Sequence, residues 1–404
     1  MEYDATTLMI EINQAKASDL PTPSMINLKE RISNSAFVFR GYNVTNLGRS
    51  AELLAHRAYR PIVERFLRDG SQIASDLLSR KIDLVDRVER RQETDLDSYS
   101  DAVALIMAME QAHLKLLDEF FDIEYARARM GFGYSLGEIG ALVAGGVMDM
   151  ATALHVPLLL AGDCAELARD VTLGVLFSRG PALDTNAVFK LCLRINMAGR
   201  GVIGISSFLA PNSLLLMGQG DTIDRFADLM REWLPQKLYL RKNESRWPPL
   251  HTPIMWQRNI PNRAAVMMHT LPSSSDGPKP AVLSLVTGKL SYNDYNAREL
   301  VAKWVDHPQR LWDAVSETLA MGIDTIVHVG PEPNLVPATF KRVADNVTTQ
   351  LAAKSWEGVG LRAVSRAVRR PWLSKILPTR SSLLRAPYVQ QINLEDWLLE
   401  QEVP

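Results

Sequence analysis

Short apolar runs alternate with amphipathic stretches along most of the chain. The run at 36–39 ends in Arg40-Gly41, which predicts a buried strand followed by a tight loop. Leu, Ile, Val and Met recur at three- and four-residue spacing over 48–120, which predicts helices. Apolar runs at 280–286 and 325–329 each end at Gly or Pro before a helical pattern. This order of strand, loop and helix is typical of a parallel α/β sheet.

A second, smaller unit is predicted within this pattern. Helix is expected from about 151 to 178. Apolar runs at 202–206 and 213–218, a helical pattern at 221–233 and a run at 237–240 then predict a β-β-α-β-like unit. The predicted fold class is α/β, with a hydrolase-like parallel-sheet large domain and a small inserted ferredoxin-like subdomain.

The pattern divides the chain into four predicted parts. They are an N-terminal extension (1–35), a large α/β domain in two pieces (36–198 and 251–345), the small subdomain (199–250) and a basic C-terminal extension (346–404). In that last part a single aromatic residue, Trp372, lies among the arginines, which favours a packing or partner-docking tail over nucleic-acid binding. The stretch is basic because of Arg362, Arg366, Arg369, Arg370, Lys375, Arg380 and Arg385.

Composition adds limits to this picture. The 404 residues are 47% hydrophobic and 23% charged, with a formal net charge of −1, so no global field favours nucleic acid or lipid. The N-terminus lacks a basic segment followed by an apolar one, and the longest apolar runs are too short to span a bilayer. A cytoplasmic protein without nucleic-acid or membrane partners is expected. Cys164 and Cys192 belong to no Cys/His cluster, so neither a metal site nor a disulfide is expected.

Residues 133–137, Gly-Tyr-Ser-Leu-Gly, fit the G-x-S-x-G pattern of a nucleophile elbow. In such an elbow a serine occupies a strained strand-to-helix turn, and the glycines avoid collisions with the neighbouring backbone. The five-residue pattern is weak by itself, but an apolar helical stretch follows it directly, as an elbow requires. Ser135 is therefore the candidate nucleophile.

The wider string 133–147 closely resembles the Gly-His-Ser-Leu-Gly-Glu signature of malonyl-CoA:acyl-carrier-protein transacylases and polyketide-synthase acyltransferase domains. Further blocks resemble the same family in the same order, at 37–41 (Phe-Val-Phe-Arg-Gly), 211–213 (Pro-Asn-Ser), 250–255 (Leu-His-Thr-Pro-Ile-Met) and 329–331 (Val-Gly-Pro). The resemblance covers about residues 36–345.

The resemblance implies a Ser–His dyad of Ser135 and His251, with the histidine oriented by a backbone carbonyl within 307–310. It implies an oxyanion hole made by the backbone N–H groups of Leu136 and Tyr42. The implied activity is ping-pong transfer of a malonyl or related acyl group from coenzyme A to the phosphopantetheine thiol of an acyl carrier protein. No metal or cofactor is implied.

Malonyl selection in this family uses an arginine in an Arg-Gly-x-x-Met context after the serine helix. An apparent insertion around 151–175 disturbs that spacing here, so Arg179 is assigned to the acyl carboxylate, with Arg194 as its rival. The chain also has Tyr134 where the family has His, Tyr42 where it has Gln, and Arg40 where it has Pro. These departures leave the acyl group open.

Two other functions remain open at this stage. A serine thioesterase or hydrolase on the same scaffold would need an Asp or Glu in the third triad position, and none is identifiable from the sequence. A catalytically weak binding module is the second alternative, because the loop at 40–43 is altered.

Overall fold

Five parallel strands form the larger of two sheets in this computed structural model, which describes residues 27–180, 182–272, 276–352 and 382–403. The strand order is β7-β2-β1-β8-β9. All five residues of the central strand β1 are buried, as expected for a strand covered on both faces. The strands are β1 (Ser35–Phe39), β2 (Met130–Gly133), β7 (Val282–Leu283), β8 (Thr325–Val329) and β9 (Gln390–Asn393).

Helices cover both faces of this sheet. Phe37 and Phe39 of β1 pack with α3 and α5, whereas Ala36 and Val38 pack with α13 and α14. The helices are α1 (Leu28–Arg31), α2 (Ser50–Ala55), α3 (Arg60–Leu78), α4 (Leu84–Glu89), α5 (Tyr99–Phe121), α6 (Leu136–Ala144), α7 (Met150–Leu159), α8 (Ala161–Ala168), α9 (Thr185–Met197), α10 (Thr222–Trp233), α11 (Ile260–Thr270), α12 (Ala297–Trp304), α13 (Leu311–Ala320), α14 (Leu335–Ala352) and α15 (Leu394–Glu400). Short 3-10 helices lie at Ile32–Asn34, Tyr125–Arg127, Pro253–Arg258 and Leu383–Tyr388.

The second sheet is antiparallel, with the strand order β4-β5-β3-β6. Side chains on one face of β3 and β5, such as Leu176 and Leu214, pack under α9 and α10. Leu173 and Met217 lie directly opposite each other on the other face, which lines a cavity. The strands are β3 (Val171–Phe177), β4 (Ile203–Ala210), β5 (Ser213–Gln219) and β6 (Tyr239–Asn243). The fold class is therefore the predicted one: an α/β fold with a parallel sheet and a smaller second sheet.

Two details differ from the sequence prediction. The predicted helix over 151–178 ends at Ala168, and residues 171–177 form strand β3 instead. A short apolar run does not by itself distinguish a buried strand from a buried helix, and the β-branched and aromatic residues here fit the strand. The small sheet therefore includes a strand that precedes residue 199, the predicted start of the small subdomain.

The apolar stretch Met150–Ala168 is the one segment of the described residues that is long and apolar enough to cross a membrane. It consists of α7 and α8, and 56% of its most apolar window is buried inside the protein. Its apolar side chains belong to the core that includes Phe37 and Phe39. This stretch is a core element.

The C-terminal residues that the structure describes complete the large unit. Strand β9 pairs in parallel with β8 at the sheet edge, and Tyr59 donates a hydrogen bond to Leu398 O (2.9 Å). Glu395 is buried and accepts hydrogen bonds from the backbone N–H groups of Arg49 and Glu332. Arg385 is buried and donates to Gly322 O. The other cations of the predicted basic extension, and residues 1–26, lie outside the described residues.

The burial of α15 yields a stability prediction. Trp397 is 4% exposed and its ring lies 4.9 Å from that of Phe121. We expect Trp397→Ala to lower the free energy of unfolding by about 3–5 kcal/mol, because it leaves a large cavity. Urea denaturation measures this, with Trp256→Ala as control, since Trp256 is 51% exposed and should lose less than about 1 kcal/mol. Equal losses for the two variants would contradict the packing of α15.

Candidate active site

Ser135 occupies a sharp turn between β2 and α6. Its φ of 54° and ψ of −120° lie in a region that non-glycine residues rarely adopt, at a cost of about 1–3 kcal/mol. Strand and helix approach each other closely at this turn. A Cβ on Gly133 would lie 2.0 Å from the carbonyl carbon of Gly137, so only glycine fits there. The sequence-predicted elbow is therefore present, with Ser135 at its apex.

Two side chains far along the chain hold the Ser135 backbone. Trp304 Nε1 donates to Ser135 O (2.8 Å), and Gln309 Oε1 accepts from Ser135 N (3.0 Å). Gln309 is fully buried, and its own backbone pairs with Ser206 O and Phe208 N of β4. Neither residue is predictable from the sequence, because no motif identifies a side chain that bonds to a backbone group about 170 positions away.

His251 lies beside the serine. Its Nε2 is 2.8 Å from Ser135 Oγ, and its Nδ1 is 2.7 Å from Trp304 O. Because a carbonyl only accepts, Nδ1 carries the proton and Nε2 is free to accept from the hydroxyl. The predicted orienting carbonyl within 307–310 was wrong: the carbonyl belongs to Trp304. A second bond, from His251 N to Val305 O (2.8 Å), fixes the histidine to the end of α12.

Burial keeps the His251 imidazole neutral. The residue is 3% exposed, and desolvation lowers its pKa to about 4, although the hydrogen bond to the Trp304 carbonyl acts in the opposite direction. At neutral pH the ring is therefore in the unprotonated form that a general base requires.

The predicted oxyanion donors lie next to the serine. Leu136 is the first residue of α6, where backbone N–H groups have no intrahelical partner. A Cβ on Gly41 would come within 3.2 Å of Ser135 Cβ, so the loop that continues into Tyr42 passes directly against the serine. Among the described residues, neither Leu136 N nor Tyr42 N has a hydrogen-bond acceptor. The backbone N–H groups of Leu136 and Tyr42 therefore remain the predicted donors of the oxyanion hole.

Glu138 belongs to the string 133–147 and holds a neighbouring loop in place. It is fully buried, accepts from Tyr292 Oη (2.7 Å) and from Leu285 N (3.0 Å), and so fixes the segment that follows β7. Desolvation raises its pKa to about 7. Its contacts make it an anchor of the loop beside the elbow.

Ser135 and His251 open into a cavity of about 110 Å³ between the two sheets. Tyr42, Tyr99 and Trp247 line one wall, which we call the aromatic wall. The Tyr42 ring lies edge-on to both others, with centroid distances of 4.8 Å to Tyr99 and 5.9 Å to Trp247.

Neither arginine proposed for an acyl carboxylate lines this cavity. Arg179 is exposed, with its guanidinium 4.6 Å from the centroid of the Tyr239 ring on the small sheet. Arg194 is exposed on α9, where it stacks 3.9 Å from the Trp233 ring centroid. Residues 151–175, where an insertion was expected, lie in α7, α8 and β3, and their buried apolar side chains belong to the core.

Comparisons with known proteins agree with this fold. No family model matches the chain. The chain is 24% identical over 320 residues to the malonyl CoA-acyl carrier protein transacylase of Escherichia coli (strain K12), covering 78% of this chain and 94% of that protein. It is 24% identical over 319 residues to polyketide synthase GfsA of Streptomyces halstedii, covering 74% of this chain but 4% of that protein.

Solved structures give the same result for the fold. FabD from Acinetobacter baumannii matches with a TM-score of 0.60 at 20% identity, covering 76% of this chain and 90% of that one. A malonyl-transacylase in complex with its type II polyketide-synthase acyl-carrier protein matches with a TM-score of 0.57 at 20% identity, covering 76% and 92%.

Fold and site together define an α/β protein with a serine elbow facing a buried histidine. In sequence and fold the chain is distantly similar to the malonyl-CoA:acyl-carrier-protein transacylases and polyketide-synthase acyltransferases, at about 20–24% identity over most of its length.

The low pKa of His251 predicts an unusual pH profile. Since the neutral ring is the active form, kcat/KM for acyl transfer should stay flat from about pH 8 to pH 5. It should fall tenfold per pH unit below about pH 4. Rates are measured across this range while circular dichroism verifies that the protein stays folded. An inflection near 6.5, the ordinary imidazole value, would contradict the buried, neutral histidine.

Proposed function

We propose that the protein transfers an acyl group from coenzyme A to the phosphopantetheine thiol of an acyl carrier protein, through an ester on Ser135. The observation that carries this proposal is the chain of contacts Ser135 Oγ, His251 and Trp304 O at the mouth of an apolar cavity. The sequence relatives include proteins named as malonyl CoA-acyl carrier protein transacylases.

In the first step His251 Nε2 takes the Ser135 hydroxyl proton as Oγ attacks the thioester carbonyl. The N–H groups of Leu136 and Tyr42 donate to the oxyanion that forms, with the helix N-terminus adding a favourable dipole. When the tetrahedral species collapses, the C–S bond breaks, and the imidazolium returns the proton to the leaving coenzyme A thiolate. The products are free coenzyme A and acyl-Ser135.

The second step runs in reverse with a new thiol. His251 Nε2 takes the proton of the carrier's phosphopantetheine thiol, and the thiolate attacks the Ser135 ester. The C–O bond breaks, the proton returns to Oγ, and the acyl group leaves as the carrier thioester. The enzyme is then in its starting state.

The group that accepts the hydrogen bond from His251 Nδ1 favours transferase activity over hydrolase activity. A carboxylate in that position would stabilise the imidazolium strongly and so support attack by water. Here the position is taken by the neutral carbonyl of Trp304. A weaker base suits a thiol acceptor, which ionises far more readily than water. The altered loop at 40–43 is no obstacle, because the oxyanion donors are backbone groups.

The roles of the two residues are tested by substitution. Ser135→Ala should abolish transfer from acyl-CoA to a carrier protein. His251→Ala should reduce turnover by a factor on the order of 10² to 10⁴, the usual effect of losing a general base. Intact-mass spectrometry of the carrier protein measures the transfer with a panel of acyl-CoAs.

The matched control is His269→Ala, since His269 is exposed on α11 and should transfer at the wild-type rate. A fully active His251→Ala variant would remove the histidine from the mechanism. Release of free acid faster than carrier acylation, in the presence of saturating carrier, would instead favour the hydrolase.

A further inference from the structure

We propose that the cavity beside Ser135 selects uncharged acyl groups and discriminates against malonyl and other carboxylated acyl groups. This inference rests on the proposed acyl transfer and specifies its substrate class. The observation behind it is the distribution of positive charge around the cavity.

Arg40 is the one permanently charged residue among the described residues that line the cavity. It is 5% exposed, and each of its side-chain nitrogens already has an acceptor within the protein. Nε donates to Gly41 O, Nη1 to Pro331 O, and Nη2 to Thr45 O and Asn46 Oδ1. Four of its five N–H donors are thus used within the protein, and the single N–H that remains on Nη1 does not make the two parallel hydrogen bonds that hold a carboxylate.

The charge of Arg40 is partly compensated as well. The carboxyl groups of Glu93 and Glu332 act on it electrostatically, as do those of Glu110 and Glu395, whose pKa values are raised by burial. An incoming carboxylate would therefore meet an arginine that is already surrounded by acidic groups. Arg40 binds the loop at 40–46 to the end of β8, which is a structural role.

The segment after the serine helix, where the resembled family has its carboxylate-binding arginine, supplies no other cation. Between Ser135 and Arg169 the chain has neither lysine nor arginine. Arg169 itself is exposed and paired with Asp97. Both histidines that line the cavity, His251 and His328, have pKa values lowered to about 4 by burial and are neutral at pH 7.

The walls nearest the serine are apolar or aromatic instead. The aromatic wall begins at Tyr42, directly after Gly41, and Leu173 and Met217 of the small sheet also line the cavity. Trp247 Nε1 has no partner among the described residues. One neutral N–H does not replace the bidentate, charge-assisted pair that an arginine forms with a carboxylate.

Desolvation then decides the selectivity. A carboxylate that enters a mainly apolar cavity without a cation loses hydration and gains little in return, whereas an alkyl or aryl group gains from leaving water. The best matched pair of substrates is malonyl and isovaleryl, because both acyl groups have the same number of heavy atoms and differ in a carboxylate versus an isopropyl group. The expected preference for isovaleryl is at least about 100-fold.

The experiment measures acylation of the full chain by malonyl-CoA, isovaleryl-CoA and a neutral series of acetyl-, butyryl- and hexanoyl-CoA. Intact-mass spectrometry follows the rate, and Ser135→Ala serves as the blank. We expect isovaleryl or another neutral group to acylate Ser135 at least about 100-fold faster than malonyl. Malonyl acylation at an equal or higher rate would overturn the inference and leave the proposed function intact. If no acyl-CoA acylates Ser135, the proposed function fails and the inference fails with it.

A pair of variants tests the cause. Tyr99→Arg adds a cation to the aromatic wall, and Tyr99→Met adds an unbranched side chain without charge. We expect the malonyl-to-isovaleryl rate ratio to rise at least about tenfold in Tyr99→Arg relative to Tyr99→Met, with both proteins verified as folded by circular dichroism. An equal ratio in the two variants would show that missing charge does not set the preference.

Discussion

The backbone conformation of Ser135 is the constraint on which the rest of the site depends. A positive φ at a serine persists only where the surrounding structure overdetermines it. Here the conformation is held by the close strand-to-helix packing at Gly133 and by two hydrogen bonds, one donated by Trp304 Nε1 and one accepted by Gln309 Oε1. Trp304 contributes twice, since its side chain holds the serine backbone and its carbonyl orients His251. The serine and its base are thus fixed by one residue at the end of α12.

Burial is the second physical constraint on the site, and it determines the charge state and the partners of the groups there. It keeps His251 neutral and therefore able to accept a proton, and it surrounds Arg40 with acceptors that belong to the protein. A site that stabilises charge during the reaction need not tolerate a permanent charge on its substrate. Backbone N–H groups suit the transient oxyanion, whereas a malonyl carboxylate would need a cation that the described cavity residues do not provide. On our proposal, the same apolar cavity favours the chemistry and limits the acyl group.

The sequence was informative where function is encoded in contiguous residues. The elbow with its following helix and the alternation of strands with helices were predictable, because each depends on local spacing. The role of His251 came from the resemblance of its sequence block to that of a known family. Gln309 and Trp304 were not, since their roles arise only when distant segments meet at Ser135. Strand β3 was predicted as helix because an apolar run lacks a decisive period. Arg179 was chosen by spacing around an insertion, and its place over the Tyr239 ring depends on the course of the small sheet.

The most direct test of the account is a rapid-quench measurement of coenzyme A release without any acceptor. If Ser135 is acylated as an obligatory intermediate, a neutral acyl-CoA should release a burst of one equivalent of coenzyme A per enzyme. The acyl group should then be found on the peptide that contains Ser135. A burst that is absent until carrier protein is added, or an acyl group on another residue, would contradict the central role of the Ser135 elbow.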